Sequence, residues 1–176
     1  MFNRLSRRRR EEFEYQALPH LNALVRAGVQ LCNSVAAAED AVQETYLQAW
    51  KYWHTFRPGT NCRAWLFRIL FNVIKKNYGK EKESAQLDEA PAGSVLLMFE
   101  PGIETYEVLE VFNRLTEEHR AVLMLVAVEE MSYKEAASVL EVPVGTVMSR
   151  LNRARTELRR RLGHVRGENL RSVADR

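Results

Sequence analysis

Cysteine and histidine are scarce in this chain, and neither is grouped. Its 176 residues include two cysteines, Cys32 and Cys62, and four histidines, His20, His54, His119 and His164. The cysteines fit neither a paired-thiol metal motif nor a disulfide framework, so they read as free structural thiols. The scattered histidines form no HExxH pattern and no nucleophile elbow is present, which leaves catalysis, a metal or a cofactor without a home. Long apolar runs are missing as well. Val122 to Val128 and Val95 to Phe99 fall far short of the roughly 20 residues that a membrane span requires. The basic run Arg7 to Arg10 is followed by Glu11, Glu12 and Glu14, where a secretory leader needs an apolar core. A cytoplasmic chain with no membrane insertion of its own is expected.

Positive charge is absent from one whole stretch. Between Glu83 and Asn113 there is no Lys or Arg, while Glu83, Asp88, Glu89, Glu100, Glu104, Glu107 and Glu110 are acidic. Cationic blocks flank it: Arg57, Arg63, Arg68, Lys75, Lys76, Lys80 and Lys82 on one side, the arginines of Arg150 to Arg161 on the other. The net charge of +3 hides this asymmetry. Two cationic modules joined by an anionic connector imply contact with nucleic acid at two separate places. Pro91, Gly93, Pro101 and Gly102 make the connector a boundary rather than a continuous helix. The expected fold is all-α, with helical domains over 11–82 and 104–162, a flexible acidic linker over 83–103 and a tail over 163–176.

The stretch Ser132 to Leu162 reads as two helices and a tight turn. Ser132 and Glu135 have the spacing of a capping box, in which each side chain satisfies a backbone N–H at the helix start. Ala136, Ala137, Val139 and Leu140 give that helix a narrow apolar face. Pro143 fits the first position of a second helix, where its missing N–H costs nothing. Along it Val144, Val147, Met148, Leu151, Ala154, Leu158 and Leu162 recur at steps of three and four and share one side. The opposite side carries Thr146, Ser149, Arg153, Thr156 and Arg160, with Arg150 and Asn152 flanking it and Arg155 at the apolar edge. Arginines that can read guanine edges, beside small hydroxyls that can hold phosphate, suit a helix entering the major groove. A solvated basic face is the plainer alternative.

The N-terminal half is also helical in pattern. Phe13, Leu18, Leu21, Leu24, Val25, Val29 and Leu31 outline one segment, which Pro19 starts or kinks and Gly28 weakens. A second, from about Ala36 to Trp53, has Ala38, Ala41, Val42, Thr45, Leu47, Ala49 and Trp50 as expected buried positions. Its other face aligns Asp40, Gln43 and Glu44. They serve either as solvated charges favoured near a helix N-terminus or as a docking patch for a basic protein surface. After the turn Phe56 to Asn61, capped by Thr60 or Asn61, a third helix runs to about Gly79. It interleaves Trp65, Leu66, Phe67, Ile69 and Leu70 with Arg63, Arg68, Asn72, Lys75 and Lys76. Such a mixture can hold single-stranded DNA by base stacking and phosphate contacts, although Trp65, Leu66, Ile69 and Leu70 are expected in the core.

Together these segments resemble the extracytoplasmic-function (ECF) family of bacterial sigma factors. The resemblance rests on AEDAVQETYLQAW (38–50) and RAWLFRILFNVIKK (63–76), followed by the block from Leu115 to Leu158 that contains the helix-turn-helix. It implies a non-enzymatic initiation factor that directs core RNA polymerase to promoters, with an anti-sigma factor to restrain it. It further implies that Asp40, Gln43 and Glu44 bind the β′ clamp helices, with the β subunit also in contact. Arg57, Gly59, Thr60, Asn61, Arg63, Asn72, Lys75 and Lys76 would engage the melted minus-ten element, and Thr146, Ser149, Arg150 and Arg153 the minus-thirty-five element. The acidic connector would pass near the polymerase active site and RNA exit path. The run Arg7 to Arg10 and the tail after Leu162 fall outside the shared pattern. Two other readings compete: a helix-turn-helix repressor or activator that binds duplex DNA alone, and a sigma-like decoy for an anti-sigma factor.

Overall fold

Helices account for the regular structure among the described residues of the computed structural model, namely 2–32, 34–84 and 103–174, with side-chain surroundings described for 7–32, 34–77 and 108–163. The chain divides between Ala90 and Pro91 into two compact units, the three residues Ser138–Leu140 apart. Most of the expected acidic linker, including Asp88, Glu89 and Glu100, lies outside the described residues.

The first unit contains α1 (Phe2–Ala17), a 3-10 turn (Leu18–His20), α2 (Leu21–Leu31), α3 (Val35–Lys51), a second 3-10 turn (Trp53–Thr55) and α4 (Cys62–Ser84). Pro19 neither starts nor kinks one continuous helix. It sits in the turn between two, where its ring and missing N–H stop α1 from continuing. Gly28 is buried where α2 faces α3, and a Cβ there would meet the Ala38 Cβ at 3.4 Å and its carbonyl oxygen at 3.5 Å, ordinary van der Waals contact.

Leu24, Ala27, Ala38, Ala49, Leu66, Phe67 and Leu70 form the fully buried centre of this unit. Beside it lies a connected aromatic cluster. Phe13 meets the rings of Tyr46, Trp50 and Trp53 edge-on, with centroids 6.3, 5.2 and 5.0 Å away. Trp53 stacks on Phe56 at 4.8 Å, and Trp65 contacts both rings. Two expected buried positions, Leu47 and Trp50, are exposed, as are Leu18 and Leu21 of the N-terminal apolar pattern. Leu18 opens the turn at Pro19 and Leu21 follows it as the first residue of α2, where the turn has broken the helical phase of α1. Leu47 and Trp50 sit on the outer side of α3, whose inner side is supplied by Ala38, Ala41, Val42, Thr45 and Ala49. Trp65 and Ile69 are half-buried rather than core.

The second unit contains α5 (Ile103–Asn113), α6 (Glu117–Leu123) running into a π-helical turn (Met124–Val128), α7 (Tyr133–Leu140) and α8 (Val144–Ala174). Thr116 caps α6 by accepting from the His119 N–H. The capping box at Ser132 and Glu135 is formed, with the Ser132 N–H donating to Glu135 Oε2 at 2.9 Å and the Glu135 N–H to Ser132 Oγ at 3.3 Å. Pro143 stands one residue before α8, its carbonyl accepting from the N–H groups of Thr146 and Val147. The buried side of α8 is narrower than the apolar pattern: Val147, Leu151 and Ala154 are enclosed, whereas Val144 and Met148 are exposed. No structural break falls at Leu162, since α8 continues through the expected tail to Ala174.

Candidate functional site

On α3 the carboxylate and amide strip is presented as the spacing requires. Ser34 caps the helix by accepting from the Ala37 N–H at 3.1 Å, which sets the phase. Small residues at 38, 41, 45 and 49 then press the helix onto its neighbours, and Asp40, Gln43 and Glu44 face outward. The Gln48 side-chain amide donates to Glu44 Oε1 at 2.8 Å and steadies that carboxylate. Leu47, 65% exposed, stands one turn on from Gln43 and Glu44. Sequence reading assigned it to the core, although its spacing from Glu44 already placed it on the polar strip.

The loop before α4 has a defined geometry. Gly59 adopts φ +83°, a left-handed conformation with open space around it, so glycine is needed for the backbone alone. The Thr60 hydroxyl donates to the Arg57 carbonyl at 2.7 Å and its N–H reaches the same oxygen at 3.2 Å. Asn61 is the cap of α4, its Oδ1 accepting from the Ala64 N–H at 3.1 Å. Thr60 therefore closes the turn and Asn61 starts the helix. Arg57, Gly59, Thr60 and Asn61 are all exposed, while Phe56 anchors the loop in the aromatic cluster.

Arg63 is half-buried, with its guanidinium 5.7 Å from the centre of the Phe67 ring. Burial first, and the Arg63 charge second, hold the nearby His20 below the usual histidine pKa. Asn72, Lys75 and Lys76 share the outer side of α4 and are exposed, with Val73 and Ile74 turned inward. A groove of about 340 Å³ lined by Glu44, Leu47, Gln48, Lys51, Tyr52 and Lys76 brings the acidic strip and this cationic side together. Lys51 and Tyr52 were not singled out from the sequence. Tyr52 is 46% exposed, with the Lys51 ammonium 5.4 Å from its ring centre. An aromatic directly after a lysine at a helix end was the available signal.

On α8 the expected DNA-facing residues are not equivalent. Ser149 and Arg153 are exposed and Thr146 is half-buried, with the Ser149 hydroxyl donating to the Thr146 carbonyl at 3.0 Å. Arg153 makes no hydrogen bond or ion pair among the described residues. Arg150 is different: its side chain is 23% exposed and paired through Nη2 with Glu118 of α6 at 2.5 Å. Arg160 and Arg161 both bind Glu157, and those hydrogen bonds pull its carboxyl pKa down to about 2. Arg155, at the apolar edge in the sequence pattern, is exposed and makes no hydrogen bond or ion pair among the described residues. No cluster of metal-ligating side chains occurs among the described residues, and none of their helices is long and apolar enough to cross a membrane.

Comparison with known proteins places these features in one family. Residues 18–83 match Sigma-70 region 2 and residues 106–158 match Sigma-70, region 4. The chain is 35% identical over 146 residues to the ECF RNA polymerase sigma factor EcfG of Rhodopseudomonas palustris, covering 81% of this chain and 78% of that one. It is 30% identical over 152 residues to the ECF RNA polymerase sigma factor SigW of Bacillus subtilis, covering 76% and 81%. Among solved structures it is similar to the sigma factor RpoE in complex with the anti-sigma factor NepR from Bartonella quintana. That match has a TM-score of 0.72 and 28% identity, over 87% of this chain and 98% of the other.

Proposed function

The chain belongs to the ECF family of RNA polymerase sigma factors, and on that premise we propose that its two units grip polymerase and promoter DNA at separate points. Asp40, Gln43 and Glu44 dock on the β′ clamp helices. The Phe56 to Asn61 loop and the outer side of α4, with Arg57, Asn72, Lys75 and Lys76, hold the melted minus-ten strand. Thr146, Ser149 and Arg153 enter the major groove at the minus-thirty-five element, and Arg150 contacts its edge. The observation that carries this reading is the sorting of one helix: α3 buries its small residues and leaves Asp40, Gln43 and Glu44 in the open.

No step of this mechanism makes or breaks a covalent bond. Extracting a base from the stack costs a few kcal/mol, and stacking returns about 1–3 kcal/mol per captured base. Strand capture can therefore draw the melting equilibrium forward. An anti-sigma factor, the kind of partner bound by the similar RpoE, restrains the chain by covering these faces.

Run-off transcription with purified core polymerase tests the proposal. Specific initiation on adding the chain is expected, and charge reversal at Asp40 and Glu44 should abolish it while the chain stays folded. Binding to duplex DNA by the chain alone, without any initiation, would favour a repressor.

A further inference from the structure

The Glu118 and Arg150 pair joins residues 32 apart in sequence and links α6 to α8. Arg150 lies on the flank of the outward strip of α8, about 100° around the helix from Ser149. A helix about 10–12 Å across fills a major groove about 12 Å wide. Its outward strip then faces the base edges, and its flanks face the phosphate walls. Glu118 holds the Arg150 head group toward α6, away from the strip that Arg153 occupies. The carboxylate engages Nη2, and the guanidinium retains N–H donors on Nε and Nη1.

We propose that Glu118 is a positioning residue for promoter binding, which fixes Arg150 as a clamp on the DNA phosphate backbone and removes it from base reading. This rests on the proposed sigma function. It divides labour on α8, with Arg153 discriminating between base pairs and Arg150 setting the angle at which the helix lies. An unrestrained arginine would have to lose its rotamer freedom on binding. The ion pair has already ordered it in the free protein, so removing Glu118 weakens binding even though it also removes a negative charge near the phosphates.

The test uses full-length chain assembled with core polymerase, a short duplex selected by that holoenzyme from a random library, and single base-pair variants of the duplex. Glu118→Ala is expected to lower affinity several-fold for all the duplexes, leaving their ranking unchanged. Arg150→Ala should do the same and flatten the salt dependence by about one unit of log K against log salt, the signature of one lost phosphate contact. In an Arg150→Ala background, Glu118→Ala should have no further effect. Equal effects of Glu118→Ala with and without Arg150 would overturn the positioning role. So would tighter binding by Glu118→Ala, which would make Glu118 only a source of repulsion, or altered base ranking on losing Arg150. Unchanged thermal unfolding of Glu118→Ala separates these outcomes from misfolding. Binding by the wild type with a neutral Glu118→Ala sinks this proposal alone; no binding by the wild-type holoenzyme sinks the sigma reading with it.

Discussion

Two glutamates occupy backbone conformations that side chains resist. Glu130 has φ +53° and Glu141 has φ +56°. The left-handed region costs an L-residue about 1–2 kcal/mol, of which glycine's greater unfolded-state entropy returns up to about 1 kcal/mol. Glu130 is exposed, so Glu130→Gly should raise stability by about 0.5–1 kcal/mol, read as a higher urea midpoint with an unchanged slope. Elsewhere, burial pushes the Cys62 thiol up to about 11, and burial followed by the Cys62 charge pushes Tyr46 up to about 12. The Tyr46 hydroxyl also donates to the Ala17 carbonyl at 2.9 Å, tying α3 to the end of α1. Both groups are held in their protonated forms by the fold. Their contribution to stability is complete below the unfolded values near 9 and 10 and is lost as pH rises through about 11 to 12. At pH 8 the folded chain should therefore resist alkylation at Cys62, and urea should expose it; rapid modification of the native chain, followed by mass spectrometry, would contradict this burial.

At the scale of elements, Phe13 and Arg9 join the Tyr46 hydrogen bond in tying α1 to α3 among the described residues. Phe13 enters the rings of α3 and the following turn, and Arg9 lies 5.2 Å from the Trp50 ring centre while donating to the Trp50 carbonyl at 3.2 Å. Removing a buried phenylalanine costs about 3–5 kcal/mol. Phe13→Ala should fall in that range, and the newly wetted Trp53 should shift tryptophan emission to the red. Ser132→Ala should cost about 1 kcal/mol through loss of its cap, measured in the same unfolding experiment. The caps were legible in the sequence because they depend on spacing within four residues: Ser132 with Glu135 is the direct case. The orientation of α3 was half legible. Its small residues defined the inner side, yet Leu47 and Trp50 were placed there by hydrophobicity alone, whereas the outer side of α3 leaves Leu47 open and sets Trp50 beneath Arg9. The pairing of Arg150 with Glu118 was not legible at all, since Glu118 is brought to it by the packing of α6 on α8.

For the whole molecule, the proposed grip has two parts that act on different states of the DNA. In this proposal the contacts of Arg153 are to duplex, and so precede melting. Those proposed for Asn72, Lys75 and Lys76 are to an unpaired strand, so their free energy would enter only once the bases separate. A template already unpaired across the minus-ten element removes the need for protein to supply the unstacking energy of a few kcal/mol. Substituting Lys75 and Lys76 by Ala should thus reduce initiation strongly on fully paired promoter and much less on the premelted one. Arg153→Ala should reduce both to a similar extent, by the equivalent of about 1–3 kcal/mol for a bidentate base contact, because the upstream duplex is intact in each. Run-off transcription from the paired and premelted templates, with the same holoenzymes, distinguishes the two. Equal rescue of the Arg153 and lysine variants would mean that the two units do not act at separate steps, and the division of work between them would have to be abandoned.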